Sequence, residues 1–313
     1  MTVAIQDIFR ARQRLRLYLA PTPLEAAPDL GQGFLLKLEQ VNPTHSFKVR
    51  GALNAVLSLD DAARERGLVT ASSGNHAQAL AYAAHLFGLH ARIVMPRHTP
   101  LRKVNGTRRF GAEVILHGNF YDDAEQYARQ LEQEEGRTFI SPYNDARVIA
   151  GAGTCGLELL EQAPDLTRVI VPVGGGGLIA GIATALHTLN PAIEVIGVNG
   201  LAAPAMYNAF YGTRHPQIAD TLAEALSGEI EGTLTIDLSR QHVSRIVLVN
   251  EAEIAAAMRW LLHEQGWLVE GGAAVGVAAV LGGKVPRDGR PTAIVLTGSN
   301  LDPETLEGVL HPA

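Results

Sequence analysis

The spacing of hydrophobic positions changes period repeatedly along this chain. From Val3 to Leu17, Ile5, Ile8, Phe9, Leu15 and Leu17 recur roughly on one side of a helix, which Pro21-Thr22-Pro23-Leu24 breaks. Phe34-Leu35-Leu36-Lys37-Leu38-Glu39 alternates and predicts a strand with Lys37 on its polar side. The low-charge segment Gly51–Leu57 opens a helix at Lys48, and a second helix, Leu59–Gly67, leads into the strand Leu68–Ala71. After the polar loop Ser72-Ser73-Gly74-Asn75-His76, Ala77–Gly88 is strongly helical and ends on glycine. Strands over Ala91–Pro96 and Ala112–Leu116 flank a helix over Leu101–Phe110, and a charged helix over Asp122–Gly136 precedes a short strand, Thr138–Ser141. A second set repeats the rhythm: helix Ala150–Gln162, buried strand Val169–Val173, helix Leu178–Leu189, strands Ile193–Val198 and Val243–Val249, helix Glu251–Gln265 and strand Thr292–Leu296. Alternation of this kind predicts an α/β protein with two doubly wound domains, parallel sheets covered by helices, and a soft boundary near Tyr143-Asn144-Asp145.

Composition narrows the function more than the fold. The 313 residues are 47% hydrophobic and 19% charged, with 32 glycines, which suits well-packed domains with many tight turns. A net charge of −6, with Arg102, Arg108 and Arg109 forming only a small basic cluster, argues against a nucleic-acid binder. One cysteine, Cys155, excludes an internal disulfide and fits a reducing compartment. No apolar run is long enough to span a membrane and the N-terminus lacks a signal-peptide core, so a cytoplasmic location is expected.

Candidate chemistry sits where strands hand over to helices, the places at which open α/β sheets bind ligands. Val173-Gly174-Gly175-Gly176-Gly177-Leu178 leaves backbone N–H groups unobstructed in front of a helix N-terminus and suits a phosphate, although it fits neither a P-loop nor a useful dinucleotide fingerprint. Ser72-Ser73-Gly74-Asn75-His76 suits a carboxylate, but taken singly it is a plain serine N-cap. Thr297-Gly298-Ser299-Asn300 alone is a turn. The chain has only four lysines. Lys37 reads as a strand residue, Lys103 as part of a solvated helix face and Lys284 as turn chemistry. Lys48 follows Pro43-Thr44-His45-Ser46-Phe47 and enters a helix among apolar neighbours, where desolvation and the helix dipole both disfavour its charge. That makes it the best nucleophile candidate, with an ordinary amphipathic lysine as the competing reading.

Taken together, in order and spacing, these pieces resemble the fold-type II pyridoxal-phosphate enzymes, in particular the threonine/serine dehydratase and serine racemase branch. The resemblance runs through Pro21-Thr22-Pro23-Leu24, Lys37-Leu38-Glu39, Ser46-Phe47-Lys48-Val49-Arg50-Gly51-Ala52, Ser72–His76, Val148-Ile149-Ala150-Gly151, the glycine run, Val269-Glu270 and Thr297–Asn300. It implies a tryptophan synthase beta-like fold with pyridoxal 5'-phosphate in the cleft between a large cofactor-binding domain, 1–58 and 145–313, and a small substrate-carboxylate domain, 59–144. It implies that Lys48 holds the cofactor as a Schiff base and then acts as acid/base at Cα, and that Gly174, Gly175, Gly176 and Gly177 cradle the phosphate. Asn75 would meet the ring 3-hydroxyl with Phe47 packed beside the ring, Thr297 would face the pyridine nitrogen, and Ser72, Ser73 and His76 would hold the substrate carboxylate. A hydroxyl at the pyridine nitrogen leaves the ring a weaker electron sink than a carboxylate would, which favours β-elimination over transamination.

Three departures matter. His45 stands where the family usually has glycine, Asn199 where the dehydratases commonly place glutamate, and Ala223-Glu224-Ala225 where they carry Ala-Asp-Gly. The last two belong to the family's divalent cation site, so no metal is expected. Ser73 is the residue that serves the racemase as acid/base opposite the lysine. The chain length leaves no room to expect a sensing domain. The expected activity is dehydration of threonine or serine to a 2-oxo acid and ammonia, by a homodimer. The alternatives are an amino acid racemase, a dehydratase for phenylserine or 3-hydroxyaspartate, or a cofactor-binding protein without turnover.

Overall fold

The computed structural model describes residues 2–218, 220–228 and 233–311. Ten strands fall into two sheets. The larger has the order β1 (Leu24–Ala26), β2 (Phe34–Leu38), β10 (Thr292–Leu296), β7 (Arg168–Pro172), β8 (Glu194–Gly200), β9 (Arg245–Val249). Only the β1–β2 pair is antiparallel. The smaller sheet has the order β5 (Glu113–Leu116), β4 (Ala91–Met95), β3 (Leu68–Ala71), β6 (Thr138–Phe139), all parallel. Helices cover both faces of the central strands, and β7 and β10 are buried at every position. No helix among the described residues is long and apolar enough to cross a membrane.

Most elements follow the hydrophobic pattern, with four instructive corrections. The first helix is shorter, Ile5–Leu15; it buries Ile8, Ala11 and Leu15, while Phe9 and Leu17 face outward. Lys37 is fully buried rather than solvated. The helix Ala146–Gln162 packs over the polar side of β2, so Lys37 meets protein: its Nζ donates to Thr22 O (2.8 Å), Glu158 Oε2 (2.7 Å) and Gln162 Oε1 (2.8 Å). Arg50 completes this buried cluster by bridging Glu39 and Glu158. Burial alone would raise the Glu39 carboxyl, but Arg50 and Lys37 override it and hold it at about 2. The helix Gly271–Leu281 has no polar face to reveal it, because its alanines, valines and glycines are buried on all sides. Helices at Ala205–Tyr211, Leu234–His242 and Pro303–Leu310 were likewise outside the sequence pattern.

Candidate active site

The loops after β3, β7 and β10 all leave the carboxyl ends of their strands and converge on one cavity of about 1510 Å³. Every site residue expected from the sequence lines it: Phe47, Lys48, Ser72, Ser73, Asn75, His76, Gly174 to Gly177 and Thr297.

Lys48 is the first residue of the helix Lys48–Leu57, and its position is set by a stitch to the loop after β10. Phe47 N–H donates to Thr297 O (3.0 Å), Ser299 N–H to His45 O (3.0 Å), and Ser46 pairs with Gly298 as an antiparallel bridge. Within the stitch His45 adopts φ 54°, the left-handed region that favours glycine. Lys48 Nζ donates to the Pro142 carbonyl at 2.7 Å, and no ion pair holds it among the described residues. Burial lowers its pKa to about 8, with the Glu270 charge opposing that fall. An amine so disposed is available as a nucleophile near neutral pH. The aromatic ring of Phe47 lies 5.2 Å from Nζ.

The glycine loop opens the helix Gly177–Leu189, whose cap, Gly176, adopts φ 85°. At Gly175 a Cβ would sit 2.4 Å from the Tyr143 ring, so a side chain there would displace that ring. The first-turn N–H groups of this helix have no intrahelical acceptor and border the cavity, which is the arrangement that receives a phosphate. Across the cavity the helix Asn75–Leu86 presents its own first turn beside Ser72 and Ser73. These features fit pyridoxal 5'-phosphate: an anion site, a nucleophilic amine without a carboxylate partner, and a second N-terminal turn for the substrate carboxylate.

His76 differs from the other loop residues. Its ring is buried beneath the loop with Nε2 3.1 Å from Ile140 O, and burial, aided by the Lys48 charge, depresses its pKa to about 3. A neutral, inward-facing ring gives a carboxylate no charge, so what His76 can offer is its backbone N–H. Two other residues had been legible only as parts of motifs. Glu270 is a buried carboxyl raised to about 7, chiefly by desolvation, and it accepts from Asn75 Nδ2 at 2.7 Å. Asn300 donates from Nδ2 to Asn75 Oδ1 at 2.6 Å. Their signal lies in contacts with Asn75 across 195 and 225 residues, which no local pattern carries.

At the mouth, Lys103 is no solvated helix face. It pairs with Glu224 (2.6 Å), and Arg102 pairs with Asp302 (2.8 Å), so the basic helix is tied to segments of the opposite wall. The Asn199 amide is fully engaged, donating to Val173 O (2.5 Å) and Ala203 O (3.1 Å) and accepting from Tyr207 N–H (3.0 Å).

Comparison with known proteins agrees with this geometry. The model of the family described as pyridoxal-phosphate dependent enzymes matches residues 15–298. An L-threonine ammonia-lyase of Thermotoga maritima is 42% identical over 99% of this chain and 78% of its own length. The solved structure of maize serine racemase superposes with a TM-score of 0.92 at 32% identity, covering 99% of this chain and 97% of that one. The processed form of threonine deaminase isoform 2 from Solanum lycopersicum gives a TM-score of 0.88 at 32% identity, covering 97% of this chain and 92% of that one. The chain therefore belongs to the pyridoxal-phosphate-dependent enzymes of fold type II, in the branch of threonine dehydratases and serine racemases.

Proposed function

We propose that this enzyme dehydrates a small β-hydroxy amino acid, threonine or serine, to a 2-oxo acid and ammonia by β-elimination. The observation that carries the reading is Lys48: an amine of depressed pKa, outside any ion pair among the described residues, in a single cavity with a phosphate-type helix terminus and a carboxylate-type one. When bound, pyridoxal 5'-phosphate supplies the electron sink that makes the substrate Cα–H acidic. The protein supplies the rest. Gly174, Gly175, Gly176 and Gly177 anchor the phosphate, Phe47 and Asn75 orient the ring, and the Thr297 hydroxyl faces its nitrogen. Ser72, Ser73 and the backbone N–H groups at Asn75 and His76 orient the substrate carboxylate. Lys48 Nζ removes the proton at Cα, which its lowered pKa favours near neutral pH. The β-hydroxyl leaves as water.

The same reading assigns 1–58 and 145–313 to a large cofactor-binding domain and 59–144 to a small one, supported by the segregation of β3 to β6 into their own sheet. It includes a homodimer in the cytoplasm, for which the single buried Cys155 is suitable. Racemisation is the second reading, and Ser73, a hydroxyl at the cavity wall, is the observation in its favour.

A panel of L-amino acids, assayed for 2-oxo acid and ammonia with chiral analysis of the remaining substrate, decides between them. Oxo acid from L-threonine or L-serine, without accumulation of the D-isomer, is expected. Rapid D/L interconversion with oxo acid as a minor product would overturn the first reading.

A further inference from the structure

Four groups form one hydrogen-bonded chain along the cavity wall. Asn300 Nδ2 lies 3.0 Å from the Thr44 carbonyl oxygen and 2.6 Å from Asn75 Oδ1, and Asn75 Nδ2 lies 2.7 Å from Glu270 Oε1. The polarity of this chain has a fixed origin, because a backbone carbonyl accepts and never donates. Asn300 must therefore turn its NH₂ group toward Thr44. The second N–H of that group then points at Asn75, which must answer with its oxygen. Asn75 is left with its NH₂ group toward Glu270 and the cavity. Reversing Asn75 would set NH₂ against NH₂ at Asn300 and oxygen against oxygen at Glu270.

The surroundings hold the chain closed. A Cβ on Gly298 would fall 2.7 Å from Glu270 Oε1 and 3.2 Å from Asn75 Nδ2, so any side chain there would push on the bond between them. Desolvation raises the Glu270 carboxyl to about 7, against the hydrogen bonds from Asn75 and the Asn300 backbone N–H, and in either protonation state Glu270 keeps an oxygen that accepts from Asn75. One N–H of the Asn75 amide remains beyond the bond to Glu270, on a side chain that lines the cavity.

We propose that Asn300 is a positioning residue: acting from the Thr44 carbonyl, it locks the Asn75 side-chain amide as a donor, so that Asn75 presents an N–H and not an oxygen to the ring oxygen of the cofactor. The proposal rests on the reading of Asn75 as a cofactor-facing residue. A locked donor stabilises the ring oxygen in its ionised form, the form that gives the bound cofactor its visible absorption.

The test uses the holoenzyme and reads the ratio of visible to near-ultraviolet absorbance at one pH, together with Tm. Asn75→Ala checks the underlying reading: the ratio should fall, and an unchanged ratio would remove Asn75 from the ring and end both claims. Asn300→Asp cannot donate to Thr44 and Asn75 at once, and so favours the turned amide. Here the ratio should fall about tenfold or more, the equilibrium worth of one hydrogen bond to a charged oxygen. Adding Glu270→Gln gives the turned Asn75 oxygen a donor, so Tm should recover while the ratio stays low. A role in stability alone predicts that ratio and Tm recover together, which would refute the proposal. Should Asn300→Asp fail to fold, Asn300→Ala removes the lock without reversing it, and a smaller fall in the ratio is expected. A ratio unchanged in Asn300→Ala or Asn300→Asp, with Asn75→Ala altered, overturns the proposal.

Discussion

Lys48 Nζ donates to the carbonyl oxygen of Pro142 at 2.7 Å, and that contact joins the helix carrying the amine to the segment that crosses back toward the larger sheet. A carbonyl partner stabilises the amine without neutralising it, so burial controls the charge of Lys48 and brings its pKa to about 8. The three other lysines are each held by a carboxylate: Lys37 by Glu158, Lys103 by Glu224 and Lys284 by Glu253.

The first prediction concerns pH. A neutral amine attacks an aldehyde, so covalent capture of pyridoxal 5'-phosphate by cofactor-free protein should accelerate as pH rises through about 8 and then level off. Stopped-flow measurement of capture across pH gives the midpoint. A midpoint near 10, the ordinary lysine range, would contradict the environment assigned to Lys48.

The buried cluster around Arg50 should behave as a unit. Removing the guanidinium in Arg50→Met leaves Glu39 buried without an ion-pair partner and Glu158 with Lys37 alone inside the cluster, at a cost of about 3–5 kcal/mol by analogy with other broken buried pairs. Glu39 also dictates an acid limit. Its folded pKa, about 2, lies below the ordinary 4.5, so the stability it contributes is present above pH 4.5 and disappears as pH falls toward 2. Urea unfolding at several pH values should show this loss in the parent protein and not in Glu39→Gln.

Much of this could be read from the chain, and the failures share one physical cause. The strand–loop–helix handovers at Ser72 and Gly174 were legible because their signals are local, glycines, caps and changes of period, whereas Thr297–Asn300 alone read as a turn because the helix that follows it, Pro303–Leu310, lay outside the pattern. Lys37 was misread because alternation shows that a strand has two faces without showing what covers each. Gly271–Leu281 escaped for the opposite reason, since a helix buried on every side has no period to detect. The engagement of Asn75 by Glu270 and Asn300 depends on tertiary closure alone.

Metal dependence follows from Asn199 and Glu224. Both N–H groups of the Asn199 amide and its oxygen are occupied by backbone groups, and Glu224 is paired with Lys103. Turnover should therefore persist after exhaustive chelation, changing less than about twofold on adding magnesium, a small step on the free-energy scale. A large loss on chelation that magnesium reverses would show that other groups rebuild a cation site.

Ser73→Ala separates the two enzyme readings. In a dehydratase, oxo acid formation should survive within about the 10²–10⁴-fold span of losing one acid/base group, with L-preference intact. In a racemase, D/L interconversion should vanish while slow elimination persists. Product analysis of the variant with L- and D-serine reads both outcomes.

The central claim, that Lys48 is the residue joined to the cofactor, is tested most directly by borohydride reduction of the holoenzyme followed by peptide mass mapping. The pyridoxyl group should be found on Lys48, and Lys48→Ala should lose both the label and turnover. Label on Lys37, Lys103 or Lys284 in the unmodified enzyme would contradict it.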